Sequence, residues 1–465
     1  MEKGKALIKN TFIILLGKIS TQFLSFFLLP LYTNFLSSKE YGTVDLITTY
    51  IALIVPVITL QLEMAMFREL IDVRDDILKK KGIISTGIIS SISQLILILI
   101  ILISASFFIQ IQNIYLILLN ISVVLISNQL LQISRGNGDN VAYSIACVIS
   151  GIGTVFFNIL FVVILQFKVE GILLSTVLAN ILAIIYLVLK NRIFSYLNFK
   201  YFDKKILKRM FKYSVPLVPN GLIWWIINIS DRTLISIILG TNFNGIYAVS
   251  NKFSSILIQL YNVFNLSWTE SASLHINDTD KDIFFSKVFN NVINIFFSLC
   301  ILIVGFLPFV FSVLVSVNFF DSYNYIPILL LGMMFNIIVS FIGCIYVAKK
   351  LTKEISRTSL YSGILNILIN LLLIKKIGIY AAAVSTLLSF FIMAIYRIID
   401  VKKYVILKID YRMFFFLSIV FILECVSYYC FPISLKIYTF IFTCIVILFY
   451  NRKYFYIKKN RKKDY

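Results

Sequence analysis

The chain has 465 residues, 60% of them hydrophobic and 14% charged, and a formal net charge of +21; its mean hydropathy is +0.92. Soluble domains lie near half apolar and a quarter charged, so this composition excludes an ordinary soluble domain and predicts a polytopic membrane protein. The Lys and Arg excess does not indicate a nucleic-acid partner, because it is concentrated in short segments between apolar runs.

A spanning helix needs about 20 mostly apolar residues. The first such run, 9–36, follows the basic start "MEKGKALIKN" and lacks a small-residue cleavage site, so it is expected to be a transmembrane helix and not a signal peptide. Further spans are expected at 43–67, 82–108, 112–134, 140–167, 170–190, 213–239, 244–270, 284–315, 325–348, 355–374, 378–399, 412–431 and 435–451, giving about fourteen in an all-α fold. The six cysteines (Cys147, Cys300, Cys344, Cys425, Cys430 and Cys444) fall in apolar runs without a CxxC pair. His275 is the one histidine and is not expected to have metal-ligand partners, so buried small residues are the expected role of the cysteines and not metal or redox chemistry.

The connecting loops alternate in charge. One set carries Lys79, Lys80 and Lys81, the run Lys200 to Lys212, Lys349 to Lys353, Lys402 to Lys408 and the tail "NRKYFYIKKNRKKDY"; the other holds only Lys39, Lys168, Lys375, Lys376 and Lys436. The positive-inside rule then puts both termini in the cytoplasm. The composition, rich in Ile, Phe, Asn and Lys, hints at an AT-rich bacterial source, so the cytoplasmic membrane of a bacterium is expected. Arg135 and Arg397, at helix ends, are expected to be topology determinants. No external loop leaves room for a catalytic domain, and an enzyme is not expected.

Short motifs echo each other across the chain. "EYGTVDL" opens the second span and "NGIYAVS" the eighth; "VEGILLSTVLAN" opens the sixth and "GIYAAAVSTLLS" the twelfth. Six helices are therefore expected to repeat, with two added at the end. The division is an N-lobe at 1–194, a basic amphipathic linker at 195–212, a C-lobe at 213–403, and 404–465 as two extra helices and a tail. Transporters built from parallel repeats bind cargo between the halves and rock around it.

Here "QFLSFFLLPLYTNFLSSKEYGTVDL" and "YSVPLVPNGLIWWIINISDRTLISIILGTNFNGIYAVSNKF" resemble the corresponding regions of Wzx-type polysaccharide flippases. They belong to the superfamily that also holds multidrug exporters and lipid II flippases. The resemblance implies two six-helix lobes in a V, with a cavity opening alternately to either side. It also implies the cargo, an oligosaccharide on undecaprenyl pyrophosphate moved from the cytoplasmic to the outer leaflet. A complex with a polymerase and a chain-length regulator belongs to the same expectation. So does coupling by Na⁺, H⁺ or the membrane potential, without a cofactor. The sequence departs from one common pattern: Asn34 stands where many members carry Arg.

Ionisable residues within spans are costly and mark functional sites by default. Lys18 lies about 14 Å into the first helix at 1.5 Å per residue; Gln22, one turn on, shares its face. Lys252, in "YAVSNKF", resembles the position where lipid II flippases carry a cation in their eighth helix, with Asn251 replacing an acidic neighbour. These three residues and Arg232 are the expected pyrophosphate and glycan contacts. Their structural alternatives are snorkelling, helix-fixing bonds or an ion pair between helices. Asp231 lies about 100° around the helix from Arg232, so each is expected to reach a neighbouring helix. Asp231, with Asp45, Glu63, Arg68 and Glu270, is expected to gate or to couple an ion, ordinary interfacial pairing being the alternative. Trp224, Trp225 and Trp268 are candidate sugar-stacking rings. Two rival functions stand beside the flippase: a cation-coupled multidrug exporter, disfavoured by the net positive balance in the membrane, and a polysaccharide polymerase.

Overall fold

The computed structural model describes residues 26–108, 113–349 and 351–460. Within these, the side chains at 219–228, 266, 352 and 453–460 lie outside the description. Among the described residues the chain is helical without strands, and eleven helices are long and apolar enough to cross a membrane. It is a multi-pass membrane protein.

The helices in chain order are α1 (Leu29–Phe35), α2 (Ser38–Ile58), α3 (Leu62–Asp72), α4 (Ile77–Ser106), α5 (Ile114–Gly136), α6 (Asn140–Asn158), α7 (Lys168–Lys190), α8 (Ile193–Tyr196), α9 (Lys204–Ser214) and α10 (Leu217–Ile238). They continue as α11 (Thr241–His275), α12 (Lys281–Leu314), α13 (Ile326–Ala348), α14 (Thr352–Ile377), α15 (Tyr380–Asp400), α16 (Tyr411–Cys430) and α17 (Ile433–Asn460). Among the described residues the expected count of fourteen spans is not confirmed. The first lies largely outside the described residues, and the seventh contains the undescribed side chains 219–228. The eighth corresponds to α11, which at 35 residues is long enough but is interrupted by Asn244, Asn251, Lys252, Gln259, Asn262 and Asn265.

The chain forms two compact units. The first runs to Thr233 and also takes in Gly240–Gly245; the second comprises Leu234–Leu239 and everything from Ile246 on. In the first unit α6 packs on α7, where Gly153 lets the backbone of Ala179 approach closely, as small residues do in membrane helix pairs. Asn120 ties α5 to α7 by donating to the Leu173 carbonyl at 3.2 Å. The second expected span is broken in two. Pro56 lacks a donor, and Leu60 and Gln61 both adopt the left-handed region (φ 52° and 54°), a conformation that side-chain-bearing residues seldom take.

In the second unit α13 is central, flanked by α15, α14 and α12. Ala381, Ala382 and Ala383 are fully buried and allow close helix packing. An extended strap leads from α15 to α16 along one face of α12. Asp282 accepts from the Ile406 amide (3.0 Å), Ser286 from the Lys408 amide (2.9 Å) and Asn290 from the Asp410 amide (3.0 Å). Asn290 also donates to the Lys408 carbonyl at 2.8 Å. Four helical residues advance about 6 Å and two extended residues about 6.7 Å, so alternate strap residues meet successive turns in register. The first unit has a smaller counterpart: Ser85 donates to the Tyr196 carbonyl and accepts from the Asn198 amide, and Thr86 accepts from the Asp203 amide.

Candidate functional site

The start of α2 is fixed by a reciprocal cap, in which the Ser37 amide donates to Glu40 (2.8 Å) and the Glu40 amide to the Ser37 hydroxyl (3.3 Å). One turn on, α2 crosses the start of α11 backbone to backbone. A Cβ on Gly42 would overlap the Thr241 carbonyl, and one on Gly245 the Ser38 carbonyl. These glycines belong to the two echoed motifs, "EYGTVDL" and "NGIYAVS". The repeated signal thus marks two segments that pack on each other.

Around this crossing the polar groups converge. Asn244, fully buried, donates to the Gly42 carbonyl at 2.9 Å and lies 3.4 Å from Asp45 Oδ2. Arg232 of α10 brings Nε to 2.9 Å from the same Asp45 oxygen, an ion pair by distance rather than an aligned hydrogen bond. The pair is mostly shielded, with side-chain exposures of 21% for Arg232 and 12% for Asp45. A further bond joins the Tyr50 and Thr233 hydroxyls at 2.9 Å. Asp231 is 2% exposed, and its neighbour Arg232 reaches α2 instead of turning back to it. At low effective dielectric such a pair is strong, and removing either member strands the other.

The remaining expected residues lie elsewhere. Lys18 and Gln22 fall outside the described residues, as do the side chains of Trp224 and Trp225. Lys252 is half-buried on α11, in the second unit. Glu63, in the first turn of α3, is 8% exposed and its Oε2 has no hydrogen-bond partner. Arg68 is exposed and pairs with Asp72 on its own helix at 2.7 Å. Glu270 is exposed. Trp268 is buried in a ring stack with Phe341 and Phe264, a packing role and not an open sugar platform. His275 Nδ1 lies 2.6 Å from Asp278.

Three polar centres escaped the sequence reading. Arg397, expected to be a topology determinant at a helix end, is 1% exposed. It donates to the Val339 carbonyl (2.8 Å), to Thr358 Oγ1 (2.7 Å from Nη2) and to the Ile355 carbonyl (3.3 Å), binding α15 to α13 and α14. Its position at a helix end hid this, because a loop anchor and an internal rivet look alike in sequence. Glu424, 3% exposed on α16, accepts from Thr443 at 2.7 Å and abuts Gly305. A lone carboxylate in "MFFFLSIVFILECV" was the available signal, the same one that drew attention to Asp231. Asn366, fully buried, donates to Ser385 and Thr386 at 3.3 Å each.

The architecture defines the class. The solved structure described as the lipid II flippase MurJ in an inward closed conformation matches 96% of this chain and 100% of its own, with TM-score 0.71 and 16% identity. An inward-facing multidrug resistance MATE family transporter of the MOP superfamily matches 89% of this chain and 99% of its own, with TM-score 0.67 and 12% identity. A MOP superfamily transporter from Pyrococcus furiosus, described by a reversed polarity of its binding pocket, matches 86% and 96%, with TM-score 0.54 and 13% identity. At these identities the likeness is one of fold: the protein has the MOP-superfamily fold, and the neighbours are transporters and flippases rather than enzymes. The chain belongs to the polysaccharide biosynthesis protein family, whose profile matches residues 7–268. No curated protein matches it significantly in sequence.

Proposed function

We propose that the protein is a flippase that moves undecaprenyl-pyrophosphate-linked oligosaccharide repeat units from the cytoplasmic to the outer leaflet of a bacterial cytoplasmic membrane by alternating access. The observation that carries this reading is a chain of the polysaccharide biosynthesis family bearing cations, Arg232 and Lys252, within the long helices α10 and α11. An anionic, lipid-borne head group is the cargo such cations suit. The structural likeness to a protein described as a lipid II flippase supports the same class of cargo.

In this reading Lys18, Gln22, Lys252 and Arg232 contact the pyrophosphate or glycan. Asp45 holds Arg232 as a latch, and pyrophosphate arriving at the guanidinium competes for it. Asp231, Glu63, Arg68 and Glu270 serve gating or coupling to Na⁺, H⁺ or the membrane potential. The working division is two six-helix lobes, 1–194 and 213–403, joined by the 195–212 linker, with 404–465 added, both termini cytoplasmic. O-antigen or capsule assembly, together with a polymerase and a chain-length regulator, is the fitting context. Deleting the gene in a strain with a surface-glycan locus tests this: lipid-linked repeat units accumulate inside and surface glycan falls. Persistent surface glycan without accumulation sinks the reading. A cation-coupled multidrug exporter is the second reading, favoured by the buried carboxylate of Asp231. Efflux of a cationic dye from proteoliposomes, with no movement of a pyrophosphate-linked glycolipid, would select it.

A further inference from the structure

The segment from the end of α7 to the end of α9 presents an unusual surface. Between residues 190 and 214 it carries eight Lys or Arg and a single acidic residue, Asp203. Asp203 is already engaged, because its carboxylate caps α9 by accepting from the Lys205 amide at 2.6 Å. Arg209 is engaged by Glu69 at 2.5 Å. Lys190, Lys200, Lys204, Lys205, Lys208 and Lys212 are all exposed, and among the described residues none has a carboxylate partner.

The apolar side of α9 is not available to a membrane. Met210 is fully buried in the first unit's core, with Ile206, Leu207 and Phe211 packed against the same cluster. What faces outward is therefore the ammonium face. Two large rings stand out beside it: Phe194 is 78% and Phe199 81% exposed. They are held there rigidly, since Ser85 and Thr86 bind the Tyr196 carbonyl and the Asn198 and Asp203 amides between and beyond them. Lys190 closes α7, one of the spanning helices, so this surface begins where the chain leaves the bilayer. Aromatic rings at that depth sit among headgroups, and unpaired lysines next to them attract negative charge.

We propose that the 190–214 segment is a binding surface for anionic phospholipid headgroups, with the lysines of α9 facing the phosphates and Phe194 and Phe199 seated at the headgroup boundary. Positive charge on loops serves topology during insertion whether or not it later meets a partner. The pinned, exposed rings and the docking of α9 onto protein are features that topology alone does not require.

The test is native mass spectrometry of the full-length protein titrated with phosphatidylglycerol or phosphatidylcholine. A Lys or Arg near an anionic surface strengthens binding about fivefold. The wild-type protein should therefore bind phosphatidylglycerol at least tenfold more tightly than phosphatidylcholine. Neutralising the surface with Lys200→Gln, Lys204→Gln, Lys205→Gln and Lys208→Gln together should remove that preference and leave phosphatidylcholine binding unchanged. Raising salt on the wild-type protein should erode the preference without any mutation. The double variant Phe194→Ser, Phe199→Ser should weaken both lipids several-fold. Equal binding of the two lipids by the wild-type protein overturns the proposal. So does a preference that survives neutralisation or high salt, or capture of a soluble polyanion such as heparin by these lysines with lipid binding unaltered. If the quadruple variant fails to reach the membrane, the salt series and the double variant decide.

Discussion

A guanidinium on α10 held 2.9 Å from a carboxylate on α2, both mostly shielded, is most stable when both are present. Replacing Asp45 or Arg232 alone by Ala leaves its partner shielded and uncompensated. Each change should cost roughly 3 kcal/mol in a setting like this, somewhat less for the partial exposure. The double replacement should recover part of that loss, with a coupling of about 1–3 kcal/mol for residues in direct contact. Thermal unfolding of the purified protein in detergent measures all three, and strictly additive losses would show the pair to be incidental. Arg397 offers a contrasting case. An ammonium cannot serve the Val339 carbonyl, Thr358 and the Ile355 carbonyl together, so Arg397→Lys should destabilise by about 3 kcal/mol, although charge is conserved. An unchanged melting temperature would contradict the rivet role. At Gly42 no substitution fits, and Gly42→Ala should sharply lower the yield of monodisperse protein in size-exclusion chromatography.

Among elements, the break between α2 and α3 is the feature that helical periodicity could not foresee. The expected span 43–67 includes Pro56, but nothing local announces that Leu60 and Gln61 turn left-handed. Two such residues store on the order of 1–3 kcal/mol each and persist only where surrounding contacts hold them. Gln61 has such a contact, donating to the Leu217 carbonyl at 3.2 Å. Pro56→Ala should favour one continuous helix and slow transport at normal membrane levels, read by accumulation of lipid-linked repeat units. Asp76, outside the spans, caps α4. The Lys79 amide and then its ammonium hold the Asp76 carboxyl below its usual range. A lowered folded-state value means that this contribution is complete at neutral pH and is lost as pH falls through that value. Asp76→Ala should accordingly lower the melting temperature at pH 7, by an amount that shrinks in strong acid; an acid-independent difference would refute the assignment.

For the whole molecule, fold class was legible because apolar run length and loop charge are bulk properties of a chain in lipid. They led to an all-α membrane protein, and the resemblance in the motifs led to the superfamily whose fold it has. The site was legible only in part. Asp231 and Arg232 stood out because charge in a span is rare, but no spacing rule connects Arg232 to Asp45 or Gly42 to Gly245 across so much sequence. Arg397 and Glu424 show the same limit: helix-to-helix partners are set by packing, which one sequence does not display. At this scale the expected outcome concerns cargo. Lys252→Ala and Arg232→Ala, at normal membrane levels, should each reduce glycan export, and undiminished export from either would remove that residue from the mechanism.

The strap between α15 and α16 constrains the gene in an uneven way. Asp410 is kept by its carboxylate, which caps α16 by accepting from the Met413 amide at 3.0 Å, but Asp282, Ser286 and Asn290 engage only the strap backbone, so the side chains of Ile406 and Lys408 are free to drift. The number of strap residues is not. Inserting or deleting one residue at 404–410 would carry Val405 and Leu407 out of their buried positions and offset every amide from its acceptor. Related chains should therefore vary here in letters and hold constant in length, a pattern more typical of a structural ruler than of a loop.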